Sequence, residues 1–182
     1  MSNWYAVQCV SGKEGIVREK LQGLYAHYQT FFPRRELEIR RSGKTHMEIK
    51  ALFPGYIFIQ SSSRLIYREA LDIARKINET FSSAALLKVV GMYRGAKSIG
   101  SDEILPIQNH EISLFLEIAS ENEIVQFSQY KKVGDKIQII GGPLAGLEAI
   151  ILKINARKKR VRVGVELMGQ TQMIDLGAEM IS

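Results

Sequence analysis

The stretch Ala51-Leu52-Phe53-Pro54-Gly55-Tyr56-Ile57-Phe58-Ile59-Gln60 is the most apolar of the chain. A short run rich in aromatic and β-branched side chains, broken near its start by Pro54-Gly55, predicts a strand entered through a bend. Tyr56, Phe58 and Gln60 fall on one face of it, because side chains alternate along a strand.

Working upstream, residues 4–10 predict a first strand, aromatic and β-branched with rough alternation. Ser11 stands three residues before Glu14 as a capping box, and Ile16, Val17, Lys20, Leu21 and Leu24 recur near helical spacing, which predicts a helix over 12–26. Thr30-Phe31-Phe32-Pro33 is extended. Arg34 to Arg41 alternates as an exposed strand, Ser42-Gly43-Lys44 turns the chain, and a return strand runs through Met47 and Ile49, together a charged hairpin. Downstream, Leu65, Ala70, Leu71, Ala74 and Ile77 predict a helix within 64–80, and Leu86 to Val90 a strand. Pro106 with Ile107, Ile112, Leu114 and Leu116 predicts a last short helix, opened earlier if Ser101, Asp102 and Glu103 start it. Strand and helix alternate, the pattern of a small α/β sandwich.

From Lys131 the rhythm changes. Val133-Gly134-Asp135, Lys136 to Ile140, Gly141-Gly142-Pro143, Ala149 to Ile154, Val161 to Leu167 and Gln172 to Leu176 are short strands and turns at a spacing of about ten residues, which predicts a small all-β barrel. The segment 119–130 is polar at first and has no clear period. The expected organisation is α+β: a domain over 1–118, a linker over 119–130 and a barrel over 131–182.

With 182 residues, 46% of them hydrophobic, the chain has material for one medium core or two small ones. The net charge is +6, from 25 basic and 19 acidic side chains, and both domains share the surplus, which favours a phosphate-bearing partner. No positive stretch feeds an apolar run at the N-terminus, and no run approaches the roughly 20 residues that span a bilayer, so no membrane role and a cytoplasmic location are expected. Cys9, alone in the sequence and set among apolar residues, reads as a small buried hydrophobe.

Three blocks carry a family resemblance: Trp4-Tyr5-Ala6-Val7-Gln8, Phe53-Pro54-Gly55-Tyr56-Ile57-Phe58, and Val133-Gly134-Asp135-Lys136-Ile137-Gln138-Ile139 followed by Gly142-Pro143-Leu144-Ala145-Gly146. In order and spacing they resemble the NusG family over nearly the whole chain. The resemblance implies an N-terminal domain with a four-stranded antiparallel sheet backed by helices, a flexible linker, and a KOW domain with an SH3-like barrel. It implies a monomer that docks the clamp helices of bacterial RNA polymerase and suppresses pausing, and whose barrel recruits Rho or a small-subunit ribosomal protein. Leu144 stands where housekeeping members carry phenylalanine, and Ala149 where they carry glycine. The chain therefore looks closer to specialised paralogues such as the LoaP antiterminators, which grip a leader hairpin of nascent RNA through the KOW domain.

By position, the resemblance assigns Trp4, Tyr5, Phe53, Pro54 and Tyr56 to the polymerase contact, where composition alone would place the aromatic rings in a core. Arg34, Arg35, Arg40, Arg41 and Lys44, interleaved with Glu36 and Glu38, stand as either a solvated hairpin or one that reaches the second polymerase pincer or non-template DNA. Lys153, Arg157, Lys158, Lys159, Arg160 and Arg162 concentrate charge at a turn between apolar strands. They stand as either a solvated turn or an RNA site reading a hairpin by shape, since 131–182 has no Phe, Tyr or Trp for base stacking. Pro143 and Leu144 mark the partner loop, a glycine-rich turn without the lysine and hydroxyl of a nucleotide-binding loop. His27, His46 and His110 lie far apart and in no metal-ligand spacing, and no paired acids suit magnesium, so neither an enzyme nor a cofactor is expected. Two alternatives stay open: a general NusG factor, and a ribosome- or RNA-binding module that does not act on polymerase.

Overall fold

The computed structural model describes residues 2–79, 87–89, 104–119, 122–134 and 136–181. In chain order its principal elements are β1 (Asn3–Cys9), α1 (Glu14–Leu24), β2 (Gln29–Phe31), β3 (Arg34–Arg41), β4 (Lys44–Ala51), β5 (Tyr56–Ser61), α2 (Tyr67–Glu79), β6 (Leu87–Val89), α3 (Asn109–Ile118), β7 (Ile124–Val125), β8 (Ser128–Val133), β9 (Lys136–Gly141), β10 (Ile151–Asn155), β11 (Arg160–Leu167) and β12 (Gln170–Met180). They form two compact units, Met1–Phe32 with Phe53–Ile112, and Pro33–Leu52 with Ser113–Ser182.

In the first unit the expected four-stranded antiparallel sheet is present, in the order β2-β5-β1-β6. Opposite Tyr5 in β1 stands Ile59 of β5, and opposite Val7 stands Ile57. These four side chains join one buried cluster with Val17 and Leu21 of α1 and Ala70, Ile73, Ala74 and Ile77 of α2. Their neighbours along the strands, Trp4, Ala6 and Phe58, alternate to the opposite face, where Phe31 of β2 is also buried.

The helices are narrower than their sequence pattern. Along α1 only the stripe through Glu14, Val17 and Leu21 is buried, while Ile16 and Leu24 are exposed. The N-cap position is Lys13, which makes no side-chain cap, and Glu14 turns back to Gly12 N–H, so the box expected between Ser11 and Glu14 does not form. Helix α2 begins at Tyr67 and buries positions i, i+3, i+4 and i+7 from Ala70, which leaves Leu71 on the exposed side. The last helix starts at Asn109. Ile107 precedes it and instead donates its N–H to Trp4 O at 2.8 Å in an isolated bridge. The alternative start at Ser101 to Glu103 lies outside the described residues.

In the second unit, the barrel sheet runs β10-β11-β12-β8-β9, antiparallel throughout except for the parallel pair β8 and β12. Val161, Val163, Val165, Leu167, Ile174 and Leu176 alternate inward along β11 and β12 to make its core. The barrel starts at Ser128 rather than at 131, so the stretch read as a linker holds β7 and the first residues of β8. Pairing with distant partners captures it: β7 runs parallel to β3, and β8 parallel to the end of β12. Tyr130 thereby enters the barrel core, an aromatic that a boundary at 131 left out.

The charged hairpin β3–β4 forms as expected, around a two-residue turn with positive φ at Ser42 and Gly43; Lys44, read as part of the turn, pairs with Arg41 as the first residue of β4. It belongs to the second compact unit, whereas the expected first domain, 1–118, contained it. Gly177 of β12 explains part of the fit, since a Cβ there would lie 2.7 Å from Glu36 O and 2.5 Å from the Phe127 ring. Among the described residues, no helix is long and apolar enough to cross a membrane.

Candidate functional site

The turn that leads into β5 is tightly held. Pro54 has no N–H to give, so the turn is fastened through Gly55: its N–H donates to Glu14 Oε1 at 2.7 Å, and its carbonyl accepts from Cys9 N–H at 2.7 Å. Tyr56 N–H closes the turn on Phe53 O at 3.1 Å. Gly55 has φ +82°, and a Cβ there would come within 2.9 Å of Cys9 O, so only glycine fits. The other oxygen of Glu14 accepts from Gly12 N–H at 2.7 Å. One buried carboxylate thus joins the β1–α1 turn to the Pro54-Gly55 turn. The adjacent Cys9 thiol is pushed up to about 12 by burial and by the charge of Glu14, which makes it inert near neutrality.

From this turn a row of rings crosses the sheet. Phe53 meets Phe58 edge-on at 5.6 Å, Phe58 meets Phe31 at 6.2 Å, and Phe31 meets Trp4 edge-on at 6.1 Å. Trp4 and Phe53 are buried, Tyr56 is half-buried and Pro54 is exposed. Tyr5, assigned to the same contact from sequence, lies on the other face of the sheet. It is fully buried among the helices, and its hydroxyl accepts the Leu65 N–H at 3.0 Å. Adjacent residues of a strand cannot share a face, which splits the Trp4-Tyr5 pair.

The hairpin cations also divide. At the base, Arg34 donates to Asn122 O at 2.7 Å and Arg35 to Asp175 O at 2.7 Å, and burial pushes the Arg35 guanidinium below its ordinary pKa. Both are half-buried structural groups. At the tip, Arg40, Arg41 and Lys44 are exposed, with Arg41 3.5 Å from Glu48. Lys50 lies 2.5 Å from the same carboxylate, and its hydrogen bond is the main cause holding Glu48 below the usual carboxylate range.

At the barrel turn, the Asn155 side chain accepts the Lys158 N–H at 3.0 Å, and Lys159 takes a left-handed conformation before β11 begins. Lys159 reaches Glu38 at 2.8 Å and Glu179 at 3.5 Å. The Glu38 hydrogen bond leads the causes that raise its pKa. Arg160 leans toward Glu38 O at 3.5 Å, and Arg162 grips Asp175 through two bonds of 2.7 and 3.1 Å. Lys153, Arg157 and Lys158 are exposed, and none of the three has an ion-pair partner among the described residues. The six-residue patch expected from sequence is therefore three exposed cations beside three engaged ones.

In the partner loop, Leu144 is fully buried, and its N–H donates to Ser128 Oγ at 3.1 Å. Its apolar side chain fills the barrel, so it offers no surface; Pro143 is half-buried, and Ala145 and Gly146 are exposed. Ser128 and Glu14, both buried and both serving backbone amides, were not singled out as site residues from sequence. Among the described residues, no group of three or more His, Cys, Asp or Glu side chains is arranged to hold a metal ion.

The family profile described as "Transcription termination factor nusG" matches residues 2–116, and that of the "KOW motif" matches residues 133–163. The chain is 24% identical to the transcription termination/antitermination protein NusG of Vibrio vulnificus, over 95% of this chain and 91% of that one. To the protein of the same name from Thermus thermophilus it is 26% identical, over 95% and 94%. A solved structure titled "Domain interaction in Thermotoga maritima NusG" aligns over 97% of this chain and 94% of that one, at 19% identity and a TM-score of 0.46, a likeness too slight to carry an argument.

Proposed function

The chain belongs to the NusG family of transcription factors, which bind RNA polymerase, and we propose that it suppresses pausing and termination during elongation. The observation that carries the reading is the turn Phe53–Tyr56, lying within the family match, where exposed Pro54 and half-buried Tyr56 border a row of packed rings. An apolar rim over a rigid base suits a helical partner, because the anchor side chains lose little freedom on docking. In this reading Trp4, Phe53, Pro54 and Tyr56 form the polymerase contact on the clamp helices, and Tyr5 supports it from behind. The hairpin tip, with Arg40, Arg41 and Lys44, reaches the second pincer or the non-template strand.

The effect on polymerase is a population shift. A factor that binds the active conformation better than the paused one lowers paused occupancy without chemistry of its own. In this reading the ring-bordered turn of the first unit serves polymerase, and the barrel, which begins at Ser128, serves targeting. The protein acts as a cytoplasmic monomer without cofactor.

Operon targeting of the LoaP type is the finer proposal. Lys153, Arg157 and Lys158 form an exposed cationic edge suited to the phosphates of a leader hairpin. A general NusG factor is the second reading, favoured by the ion pairs that occupy Lys159 and Arg162. With Leu144 inside the barrel, a contact with Rho or a ribosomal protein at that loop would fall to Pro143 and its exposed neighbours.

Single-round transcription by the cognate polymerase across intrinsic terminators, with and without the native leader, tests both readings. Readthrough that depends on the leader supports targeting. Equal readthrough on both templates supports the general factor, and no effect on either overturns the polymerase reading in favour of an RNA- or ribosome-binding module.

A further inference from the structure

We propose that Glu14 is a positioning residue for the polymerase contact: its buried carboxylate sets the shape of the Phe53–Tyr56 turn and so the presentation of Pro54 and Tyr56. The inference rests on the docking role proposed above for that turn. Glu14 is only 4% exposed, a rare place for a carboxylate, and both its oxygens are committed to backbone amides, Gly12 N–H and Gly55 N–H, each at 2.7 Å. Among the described residues no lysine or arginine pairs with it, and backbone dipoles carry the compensation that a buried charge requires.

The arrangement is specific to the turn. Pro54 supplies no amide, and Gly55 sits in a left-handed conformation with its carbonyl on Cys9 N–H, so the Gly55 N–H is left facing the start of α1. Glu14 is the group that meets it there. Without that acceptor the amide would be buried and unpaired, and the turn would relax away from β1, carrying Pro54 and Tyr56 with it. The position at the first turn of α1 also favours a negative charge, which explains how a carboxylate is tolerated at this depth.

The test uses the full chain and cognate core polymerase, measuring affinity by titration and stability by thermal unfolding. Glu14→Gln keeps the size of the side chain but leaves one acceptor for two donors. It is expected to weaken polymerase binding about tenfold and to speed hydrogen exchange at the Gly12 and Gly55 amides together. Val17→Ala, one turn along the same buried stripe, is the control: it lowers the melting temperature and leaves affinity unchanged. Combining Glu14→Gln with Tyr56→Ala should weaken binding by less than the product of the single effects, because both act through one contact. If Glu14→Gln fails to accumulate, Glu14→Asp retains the charge with a shorter reach and should give a smaller loss of the same kind.

Native-like binding by Glu14→Gln while Tyr56→Ala binds weakly would overturn the proposal and leave the docking reading intact. So would a loss no greater than that of Val17→Ala at equal stability, or unchanged exchange at the two amides. If Tyr56→Ala also binds normally, the docking reading itself fails, and the positioning role with it.

Discussion

The two candidate surfaces are held in place by different forces. Around Phe53–Tyr56 the side chains stand where strand alternation and a glycine-only turn put them, packed ring against ring at 5.6 to 6.2 Å. Around Arg157–Arg162 the side chains are distributed by charge, with Lys159 drawn to Glu38 and Glu179, Arg162 drawn to Asp175, and Arg157 and Lys158 left in solvent. A surface built by packing responds to lost volume and is indifferent to salt. One built by charge tolerates lost volume and responds to salt and pH.

The sharpest way to break this contrast is Tyr5→Ala. Tyr5 is fully buried behind the aromatic row and its hydroxyl holds Leu65, so truncation should cost about 3–5 kcal/mol of unfolding free energy in a denaturant titration. A cost no larger than that of a surface substitution would mean that the first unit is not packed as described. Next in size is Tyr56→Ala. Half-buried on the opposite face, it should leave the fold cooperative and weaken polymerase binding by over ~2 kcal/mol, roughly thirtyfold, with the difference from the native chain unchanged by added salt.

At the charged surface the measurement is the salt dependence of binding to a leader hairpin. Each of Arg157→Gln and Lys158→Gln should reduce the slope of log K against log salt by about 0.7–0.9, the value of one neutralised phosphate. Arg162→Gln should change it less, because its guanidinium is already committed to Asp175. Equal losses at all three positions would show that the ion pair opens on binding and that the patch acts as a single field.

The same contrast explains what could be read in advance. The face shared by Tyr56, Phe58 and Gln60, the hairpin turn at Ser42-Gly43 and the barrel strand from Val161 are set by a period of two or by local turn chemistry, and all stand where the sequence puts them. Lys159 and Glu38 are 121 positions apart, so nothing local announces that this cation is occupied. Ser128 looks like linker until β12 returns beside it, and Leu144 looks like a loop residue until the barrel closes over it. Glu14 was legible as a helix-start residue; its second amide, 41 positions away, was not. Tyr5 is a different case: alternation along β1 separates it from Trp4, although the two are neighbours in one sequence motif.

The smallest expected effect concerns Asp175, where the contrast can be tested without a ligand. The Arg162 hydrogen bond, first among the causes, holds this carboxyl below its ordinary pKa in the folded chain. A depressed folded pKa means that the unfolded chain binds the proton more readily, so the pair stabilises the fold above the unfolded value of about 3.9, and the contribution is lost as pH falls through the folded value. Asp175→Asn should therefore be slightly less stable than the native chain near pH 7 at low salt. The difference should shrink in high salt, because the partner arginine is exposed, and close once the pH has fallen below the folded value, where the native carboxyl is protonated as well. A difference that persisted into acid would assign the role of the Asp175 side chain to packing at the hairpin base, and would move this position from the charged class to the packed one.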